Sequence, residues 1–280
     1  MSPMQVIEQT VVGAVPDTSG GDCLILSTNV VGVADGSTAK PWDDPRAPNG
    51  ATLAAAVSEV LECLDKDCTA AEAAMLTSSM VAGLHRNAGF MPGSGAAVTF
   101  AVIHAPSRQV WRIGDAHILV DGRLLTEHPT GEIVVARARA MVLRERVRRG
   151  VSVNELRRND VGRRAVEPLL RSLVGLRNQY VQNLGYGAID GTEVPTQFIE
   201  VTNLPSSRCE VVLTTDGYPI VTSQLKTTED ALQVRLGSDP LMIDEVPATK
   251  AWGQGRLSFD DRAYLRVVLH GLDNDTLVGE

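Results

Sequence analysis

Several features that would place this 280-residue chain in a special class are missing from it. No uninterrupted apolar run approaches the about 18 residues that a membrane helix needs, and the chain does not start with a basic segment followed by an apolar stretch. The four cysteines, Cys23, Cys63, Cys68 and Cys209, are too few and too irregularly spaced for a disulfide framework or a thiolate zinc site. We therefore expect a cytoplasmic protein with no membrane partner, in which the cysteines are small buried side chains.

The chain also lacks an excess of positive charge. Its 26 Lys and Arg residues face 34 Asp and Glu residues, which gives a formal net charge of −8. Because nucleic-acid-binding proteins usually show the opposite excess, we predict no nucleic-acid partner. With 44% hydrophobic and 21% charged residues, the composition is that of a globular protein. At about 150 residues per domain, the length allows one large domain or two small ones.

The positive charge is concentrated in one segment of the chain. Residues 137–177 contain 12 Arg and no Lys against 4 acidic residues, so this segment carries +8 and the remainder carries −16. Apolar residues recur in it at helical spacing, which predicts two or three amphipathic helices with basic outer faces. Two interpretations stay open: a solvated surface in a chain that uses 22 Arg and 4 Lys, or a docking surface for an acidic or phosphorylated partner.

The remaining hydrophobic pattern predicts an α+β protein. Thr69 and Glu72 form a capping box at the start of one helix, and residues 53–64 carry the apolar face of a helix before it. Residues 40–50 are rich in Pro and Gly and predict a loop, whereas residues 225–250 are mixed and carry no firm assignment. Short β-branched segments predict strands at 23–26, 30–34, 96–103, 109–113, 116–120, 123–125, 198–201, 210–215 and 263–269. Strands that surround helical segments indicate antiparallel sheets.

Three aspartates occupy equivalent positions at the ends of predicted strands. Asp35 and Asp216 each follow a strand and precede a glycine, Gly36 or Gly217, and Asp260 comes just before the last strand. A glycine at such a place turns the chain and lets another group approach the backbone closely. Carboxylates held by strands suit a hard cation, because Mg²⁺ and Mn²⁺ prefer oxygen ligands. The sequence therefore predicts a divalent metal site.

Asp115 lies between two predicted strands and is a fourth candidate of the same type. An isolated Asp-Gly pair is usually a turn, and we interpret Asp121-Gly122 and Asp190-Gly191 in that way. The order, spacing and flanking strands of the other Asp-Gly pairs distinguish them from such turns.

Five segments, in this order, resemble the motifs of the metal-dependent protein phosphatases of type 2C. They are GVADGST at 32–38, GSGAAVTFAVI at 93–103, VWRIGDAHILVDGRLLTEH at 110–128, VVLTTDG at 211–217 and FDDRAYLRVV at 259–268. The resemblance extends over about residues 11–270. It implies that residues 1–280 form a single domain, a four-layer α-β-β-α sandwich of two antiparallel sheets. It also implies a binuclear Mg²⁺ or Mn²⁺ centre between the sheets and an Arg-rich, flap-like helical insert at about 130–180.

The resemblance assigns roles to individual residues. Asp35 resembles the aspartate that bridges the two metal ions, and Gly36 resembles the residue whose carbonyl oxygen binds one of them. Asp216 and Asp260 resemble the other metal-binding carboxylates. In the mechanism that this implies, two metal ions about 3.5–4 Å apart lower the pKa of a bridging water, which attacks phosphorus in line. No cysteine or other protein nucleophile is needed.

Three further acids are placed by the resemblance. Asp115 matches the aspartate that helps to hold a weaker third metal ion in bacterial relatives. Asp22 matches the second acid of an N-terminal acidic pair that contacts metal-bound water. We expect Asp261 to act in a turn or behind the metal ligands rather than as a ligand. His128 lies in a Thr-Glu-His segment that resembles the family's Thr-Asp-His and is no secure general acid.

The sequence departs from the family pattern at the substrate-binding positions. The arginine that usually grips the substrate phosphate is replaced by Asp17, and the first acid of the N-terminal pair is replaced by Gly21. Our hypothesis is that Lys40 or Arg46, in the Pro-rich loop, supplies the missing positive charge. The alternative is that both are solvated loop cations.

The sequence thus predicts a Mg²⁺/Mn²⁺-dependent phosphomonoester hydrolase of bacterial type, acting on phosphoserine or phosphothreonine in proteins. One alternative keeps the chemistry but takes a small phosphorylated metabolite as substrate. Another is a catalytically weak, phosphatase-like module that binds a phosphorylated partner through the Arg-rich insert. Retention of Asp35, Asp216 and Asp260 favours an enzyme, because a binding module would not need all three.

Overall fold

The computed structural model describes residues 4–271 except 19, 38, 39, 41, 127–129 and 183, so the prediction about His128 lies outside the described residues. The strands are β1 (Met4–Val12), β2 (Asp22–Leu26), β3 (Val30–Gly36), β4 (Val98–His104), β5 (Gln109–Ile113), β6 (His117–Val120), β7 (Arg123–Leu124), β8 (Glu200–Asn203), β9 (Cys209–Thr214) and β10 (Arg262–Leu269). The helices are α1 (Gly50–Glu62), α2 (Ala70–Asn87), α3 (Thr130–Arg148), α4 (Val153–Arg158), α5 (Val161–Ala165), α6 (Glu167–Val174) and α7 (Leu225–Ser238).

The strands form two antiparallel sheets that pack face to face. One sheet has the order β1-β10-β9-β6-β7 and the other has the order β2-β3-β4-β5-β8. Side chains from the two inner faces fill a shared apolar core, because successive residues of a strand point to opposite faces. Its fully buried members include Val33, Ala101, Ile103, Val211, Leu213 and Leu265.

Helices cover the outer face of each sheet. The buried face of α1, with Leu53 and Val57, packs with Phe100 and other side chains of the β2-containing sheet. On the opposite side of the molecule, Leu232 of α7 packs with Val212 of the β1-containing sheet. The predicted four-layer α-β-β-α sandwich is therefore confirmed.

Local sequence signals account for part of this architecture. The capping box of α2 is present: the Thr69 side chain accepts from the Glu72 backbone N–H at 3.3 Å, and the Glu72 carboxylate accepts from the Thr69 N–H at 2.8 Å. Two elements were not predicted. β1 is an edge strand whose side chains alternate between half-buried and exposed, and α7 buries few large apolar residues.

The helices α3 to α6 form the predicted insert between β7 and β8. We call residues 130–174 the insert. Its short helices are capped by local side chains: Ser152 accepts from the Glu155 N–H of α4, and Asp160 accepts from the Arg163 N–H of α5. None of the helices in the described part of the chain combines the length and apolar character needed to cross a lipid bilayer.

Candidate metal centre

The topology brings three of the predicted aspartates to one cavity between the sheets. Asp35 is the penultimate residue of β3, in one sheet. Asp216 follows β9 and Asp260 precedes β10, and these two strands are antiparallel neighbours in the other sheet. The end of β9 therefore adjoins the start of β10. All three side chains line a cavity of about 160 Å³.

Two further carboxylates complete the cluster. Asp115 lies in the connection from β5 to β6, where the chain crosses from one sheet to the other, and its Oδ1 accepts a hydrogen bond from Thr99 Oγ1 at 2.9 Å. Glu132 comes from the first turn of α3 and was not predicted. Oxygen atoms of Asp115, Glu132 and Asp216 lie within 4.8 Å of one another. A cluster of carboxylate oxygens fits Mg²⁺ or Mn²⁺ by the chemistry of its donors.

Two glycines beside the cluster, Gly36 and Gly217, lie where another part of the backbone approaches closely, as predicted. A Cβ atom on Gly36 would lie 2.1 Å from the carbonyl oxygen of Gly50, the first residue of α1. A Cβ atom on Gly217 would lie 2.0 Å from the carbonyl oxygen of Asp261. Any side chain at these positions would push the neighbouring backbone away from the site. The role of the Gly36 carbonyl as a metal ligand stays a prediction.

Asp22 and Asp261 are not among the residues that line the cavity, and the predicted contact of Asp22 with metal-bound water stays a prediction. Asp22 is buried and pairs with Asp35 across β2 and β3, and its Oδ2 accepts a hydrogen bond from Thr215 Oγ1 at 2.6 Å. The carboxylate of Asp261 accepts backbone N–H donors from Ala14 and Gly21, at 2.6 and 2.7 Å. Asp261 thus holds the chain before β2 in place, which agrees with its predicted supporting role.

Burial and mutual repulsion raise the pKa values of three acids of the cluster, Asp35, Asp216 and Glu132. The pKa values of Asp35 and Asp216 are well above the usual range, first because the carboxylates are buried and then because other aspartates lie nearby. Burial, followed by the charges of Asp115 and Asp260, raises the pKa of Glu132 to about 7. Concentrated negative charge of this kind is what a divalent cation would neutralise.

Cations line the cavity together with the carboxylates. Lys40, Lys250 and Arg163 line it, and the ammonium group of Lys250 contacts Oδ1 of Asp260. Burial, together with the charges of Lys250 and Arg163, lowers the pKa of Lys40 to about 8. Burial alone would lower the pKa of Lys250, but the charges of Asp260 and its neighbours outweigh that effect and raise it.

Arg46 does not belong to this set of cations. Its side chain is 81% exposed and forms an ion pair with Asp44 at 2.6 Å, and it does not line the cavity. The hypothesis that Arg46 supplies the missing positive charge stays a prediction, and this exposed position beside Asp44 adds no support to it. Lys40 is placed where the hypothesis requires it, and its role stays a prediction.

Four arginines of the insert donate hydrogen bonds to backbone carbonyls of the segment 239–252. The pairs are Arg139 with Leu241, Met242 and Ala248, Arg144 with Ile243, Arg157 with Trp252, and Arg163 with Thr249. Arg139 is fully buried and also pairs with Asp160 at 2.7 Å. These arginines do not lie on the predicted basic outer faces, because their guanidinium groups donate to carbonyls of an irregular segment. Exposed arginines remain on α3, so a docking role stays a prediction.

The raised pKa values predict an unusual pH profile for the metal-free protein. Between about pH 4.5 and 7 the folded state binds more protons at Asp35, Asp216 and Glu132 than the unfolded state does. Stability must therefore fall as pH rises through this window. Thermal unfolding in a chelator should show a lower melting temperature at pH 7.5 than at pH 5. Saturating Mn²⁺ should reduce the difference, and Glu132→Gln should flatten the metal-free slope. A metal-free profile that rises across the window would contradict this assignment.

No family model matches the sequence, and no curated protein matches it. Among solved structures, the chain is similar to the serine/threonine phosphatase PstP/Ppp of Mycobacterium tuberculosis, with 14% identity, a TM-score of 0.48, and 95% of this chain and 99% of that chain covered. It is similar to the PPM Ser-Thr phosphatase MsPP of Mycobacterium smegmatis, solved with cacodylate (16% identity, TM-score 0.43, 95% and 99% covered). It is also similar to RsbX, solved with magnesium, with 11% identity, a TM-score of 0.45, and 95% of this chain and 99% of that chain covered. At identities of 16% or less, the chemistry of this chain has to be judged from its own residues.

Proposed function

We propose that this chain is a Mg²⁺/Mn²⁺-dependent phosphomonoester hydrolase whose substrates are phosphoserine or phosphothreonine residues of proteins. One observation carries the proposal: Asp35, Asp115, Asp216 and Asp260, from both sheets, meet Glu132 of the insert in a single cavity. Like charges are gathered in this way at considerable electrostatic cost, so the cluster indicates a site for cations.

The residues of the cavity divide the chemistry between them. Divalent cations held by the carboxylates would supply an activated water and neutralise charge on the phosphoryl group. Asp35, Asp216 and Asp260 would hold them, and the supporting hydrogen bond from Thr99 orients Asp115. Lys40 and Arg163 place positive charge in the same cavity, where it favours an anionic ligand.

The identity of the phosphorylated molecule depends on the insert. Apolar side chains Leu170, Leu173 and Val174 of α6 form one wall of the cavity beside the carboxylates. In a phosphorylated peptide, apolar residues next to the phosphoserine would pack against this wall. For a small phosphorylated metabolite, the same wall would limit the size of the molecule that fits the cavity. Release of phosphate from a panel of phosphopeptides and phosphorylated metabolites, compared by kcat/KM, separates these two substrate classes.

Hydrolysis of p-nitrophenyl phosphate tests the proposed chemistry. We expect Mn²⁺-dependent turnover that a chelator abolishes and that Asp35→Asn lowers by about 100-fold or more, because loss even of a group that only supports a metal ligand costs about 10- to 100-fold. The matched control is Asp230→Asn, an exposed acid of α7 paired with Lys226, which should retain wild-type turnover.

Two results would contradict the proposal. Turnover that persists in the chelator, or an Asp35→Asn variant as active as Asp230→Asn, would exclude a mechanism that uses this cluster. Wild-type protein that binds Mn²⁺ and a phosphopeptide without hydrolysing any ester would instead favour a phosphatase-like binding module.

A further inference from the structure

The outer face of α2 carries a patch of exposed apolar side chains. Met75, Leu76 and Met80 are 59%, 44% and 39% exposed. The opposite face of the helix, with Ala73 and Val81, packs into the core beneath it. Residues three and four positions apart are neighbours on a helix, so the exposed side chains lie together instead of being scattered. Exposed apolar patches of this kind mark interaction sites.

Gly83 lies on the same outer face, and the packing of the chain does not account for it. A Cβ atom added there would meet no atom of the described chain within 4 Å, apart from the backbone of its own helix. A glycine inside a helix destabilises the helix by about 1 kcal/mol relative to alanine. Because neither the packing nor the helical backbone requires it, the missing side chain of Gly83 leaves a notch that allows close approach from outside.

The charges of this face have opposite signs at its two ends. Glu72 lies in the first turn of α2 and Arg86 in the last, and both are exposed. Ser79 is exposed and lies midway between them, seven residues from each. A two-fold axis at Ser79 would bring two copies of α2 together in antiparallel orientation, with each Glu72 opposite an Arg86. The charges of this face are therefore complementary to themselves.

The sizes of the side chains follow the same centre. Met75 and Gly83 lie four residues from Ser79, one on each side of it. The axis that pairs Glu72 with Arg86 therefore also places Met75 of one copy at the Gly83 notch of the other. Helices pack with their axes about 8–10 Å apart, depending on the side chains at the crossing, and a serine at the crossing favours the shorter distance.

The outer face of α3 shows why a second copy fits α2 in particular. Met141 of α3 is 68% exposed, but the exposed Arg137, Arg144 and Arg148 surround it on the same side of the helix. Two copies of that face would bring arginines together, and like charges across an interface oppose association. The face of α2 carries no such excess of one sign.

The size of the face indicates a weak and reversible contact. A helix of 18 residues is about 27 Å long and about 10 Å wide, so a pair of them covers much less than the about 800 Å² per partner of a stable complex. None of the described residues that line the cavity belongs to α2. Pairing through α2 would therefore not use any of those residues.

We propose that the outer face of α2 is a self-association surface, through which two copies of this chain form a reversible, antiparallel dimer centred on Ser79. The proposal does not depend on the proposed phosphomonoesterase function, and its tests measure no turnover.

Sedimentation velocity tests the surface. The wild type should pass from monomer to dimer between about 1 and 200 μM, as expected for a contact below the standard size. Gly83→Gln fills the notch with a long polar side chain and should raise the dissociation constant by about tenfold or more. The matched control is Gly237→Gln, at an exposed glycine of α7 where a Cβ atom would likewise meet nothing within 4 Å. Both changes introduce a better helix former, so neither should lower the melting temperature.

Cysteine cross-linking tests the position of the axis. Ser79→Cys, combined with Cys63→Ser to remove an exposed native thiol, should form an intermolecular disulfide on mild oxidation. Such a bond needs Cα atoms about 4.4–6.8 Å apart, a distance that a two-fold axis at Ser79 provides. Gln233→Cys in the same background, at an exposed position of α7, should cross-link much more slowly.

Three results would overturn the proposal. Wild-type protein that stays monomeric at about 200 μM would show that the face does not self-associate. A dimer with the same dissociation constant in Gly83→Gln and Gly237→Gln would be formed by another surface. Equal rates of cross-linking at positions 79 and 233 would exclude an axis at Ser79.

Discussion

Replacing Asp216 with Asn should lower phosphomonoester hydrolysis by about 100-fold or more and, at the same time, raise the melting temperature of the metal-free protein. Asp216 shares the cluster with Asp115 and Glu132, and burial and repulsion raise its pKa well above the usual range. Asparagine has nearly the same shape as aspartate, so it preserves the packing. It removes a negative charge whose burial beside other carboxylates destabilises the folded state. We therefore expect a higher free energy of unfolding for Asp216→Asn near pH 7.5, because the unfavourable burial of the ionised carboxylate is removed.

The two effects of Asp216→Asn can be measured separately. Phosphate release at saturating Mn²⁺ reports the loss of activity, and thermal unfolding in a chelator reports the gain in stability. Asp230→Asn should change neither quantity, because Asp230 is exposed on α7. An Asp216→Asn variant that is both inactive and less stable would mean that this carboxylate supports the fold, and the assignment of the cluster as a cation site would lose its main electrostatic argument.

The largest change in stability is expected from Arg139→Met. The Arg139 guanidinium is fully buried between α3 and the segment 239–252, where it donates to three carbonyls and to Asp160. Methionine fills similar volume but removes the charged partner of Asp160 and the side-chain donor to these carbonyls. Breaking a buried pair by removing one partner costs about 3–5 kcal/mol, which corresponds to a fall of roughly 10 °C in melting temperature for a chain of this size.

Arg137→Met provides the matched control on the same helix. Arg137 is exposed, so its replacement should change the free energy of unfolding by no more than about 0.5 kcal/mol. Hydrogen exchange would also show where the damage lies, since Arg139→Met should expose amides of the segment 239–252 before those of the two sheets. Equal melting temperatures for the two variants would show that the insert and this segment do not depend on Arg139.

Asp35, Asp216 and Asp260 could be predicted as site residues because each lies next to a strand that its local sequence indicates. A β-branched strand followed by Asp-Gly identifies Asp35 and Asp216, and an antiparallel arrangement is enough to bring Asp260 beside Asp216. The same strand signals predict antiparallel sheets, whereas the two-sheet sandwich was implied only by the resemblance to the type 2C phosphatases. The helix start at Thr69 needed no tertiary information either, since its hydrogen bonds are formed within four residues.

Glu132 and Lys250 could not be predicted because their positions depend on long-range packing. Glu132 belongs to a helix whose periodicity describes how the helix is buried but not which residue of its first turn faces the cavity. Lys250 belongs to an irregular segment that the insert holds through carbonyl groups, which leave no pattern in the sequence. The rarity of lysine in this chain is no sufficient signal, because it marks the exposed Lys66 and Lys226 as much as Lys40 and Lys250.

β1 and α7 were missed for a related reason. An edge strand such as β1 is exposed along one side, so polar residues interrupt its alternation. In α7 the buried face includes Thr228 and Arg235 beside Leu232 and Leu236. β1 is stabilised by pairing with β10, and α7 by packing on the same sheet. Neither element depends on a strong hydrophobic pattern of its own, which is the signal that sequence-based prediction uses.

The arginines of the insert that bind backbone carbonyls also contribute to the electric field at the cavity. Arg157 and Arg163 are satisfied by carbonyl oxygens, which are neutral, so their hydrogen bonds leave the full positive charges in place. Mobile salt ions hardly weaken a hydrogen bond to a carbonyl, but they screen a field beyond about 10 Å at 0.1 M ionic strength. The same arginines thus fasten the segment at any ionic strength, whereas their attraction for an anion at the cavity should weaken as salt is added.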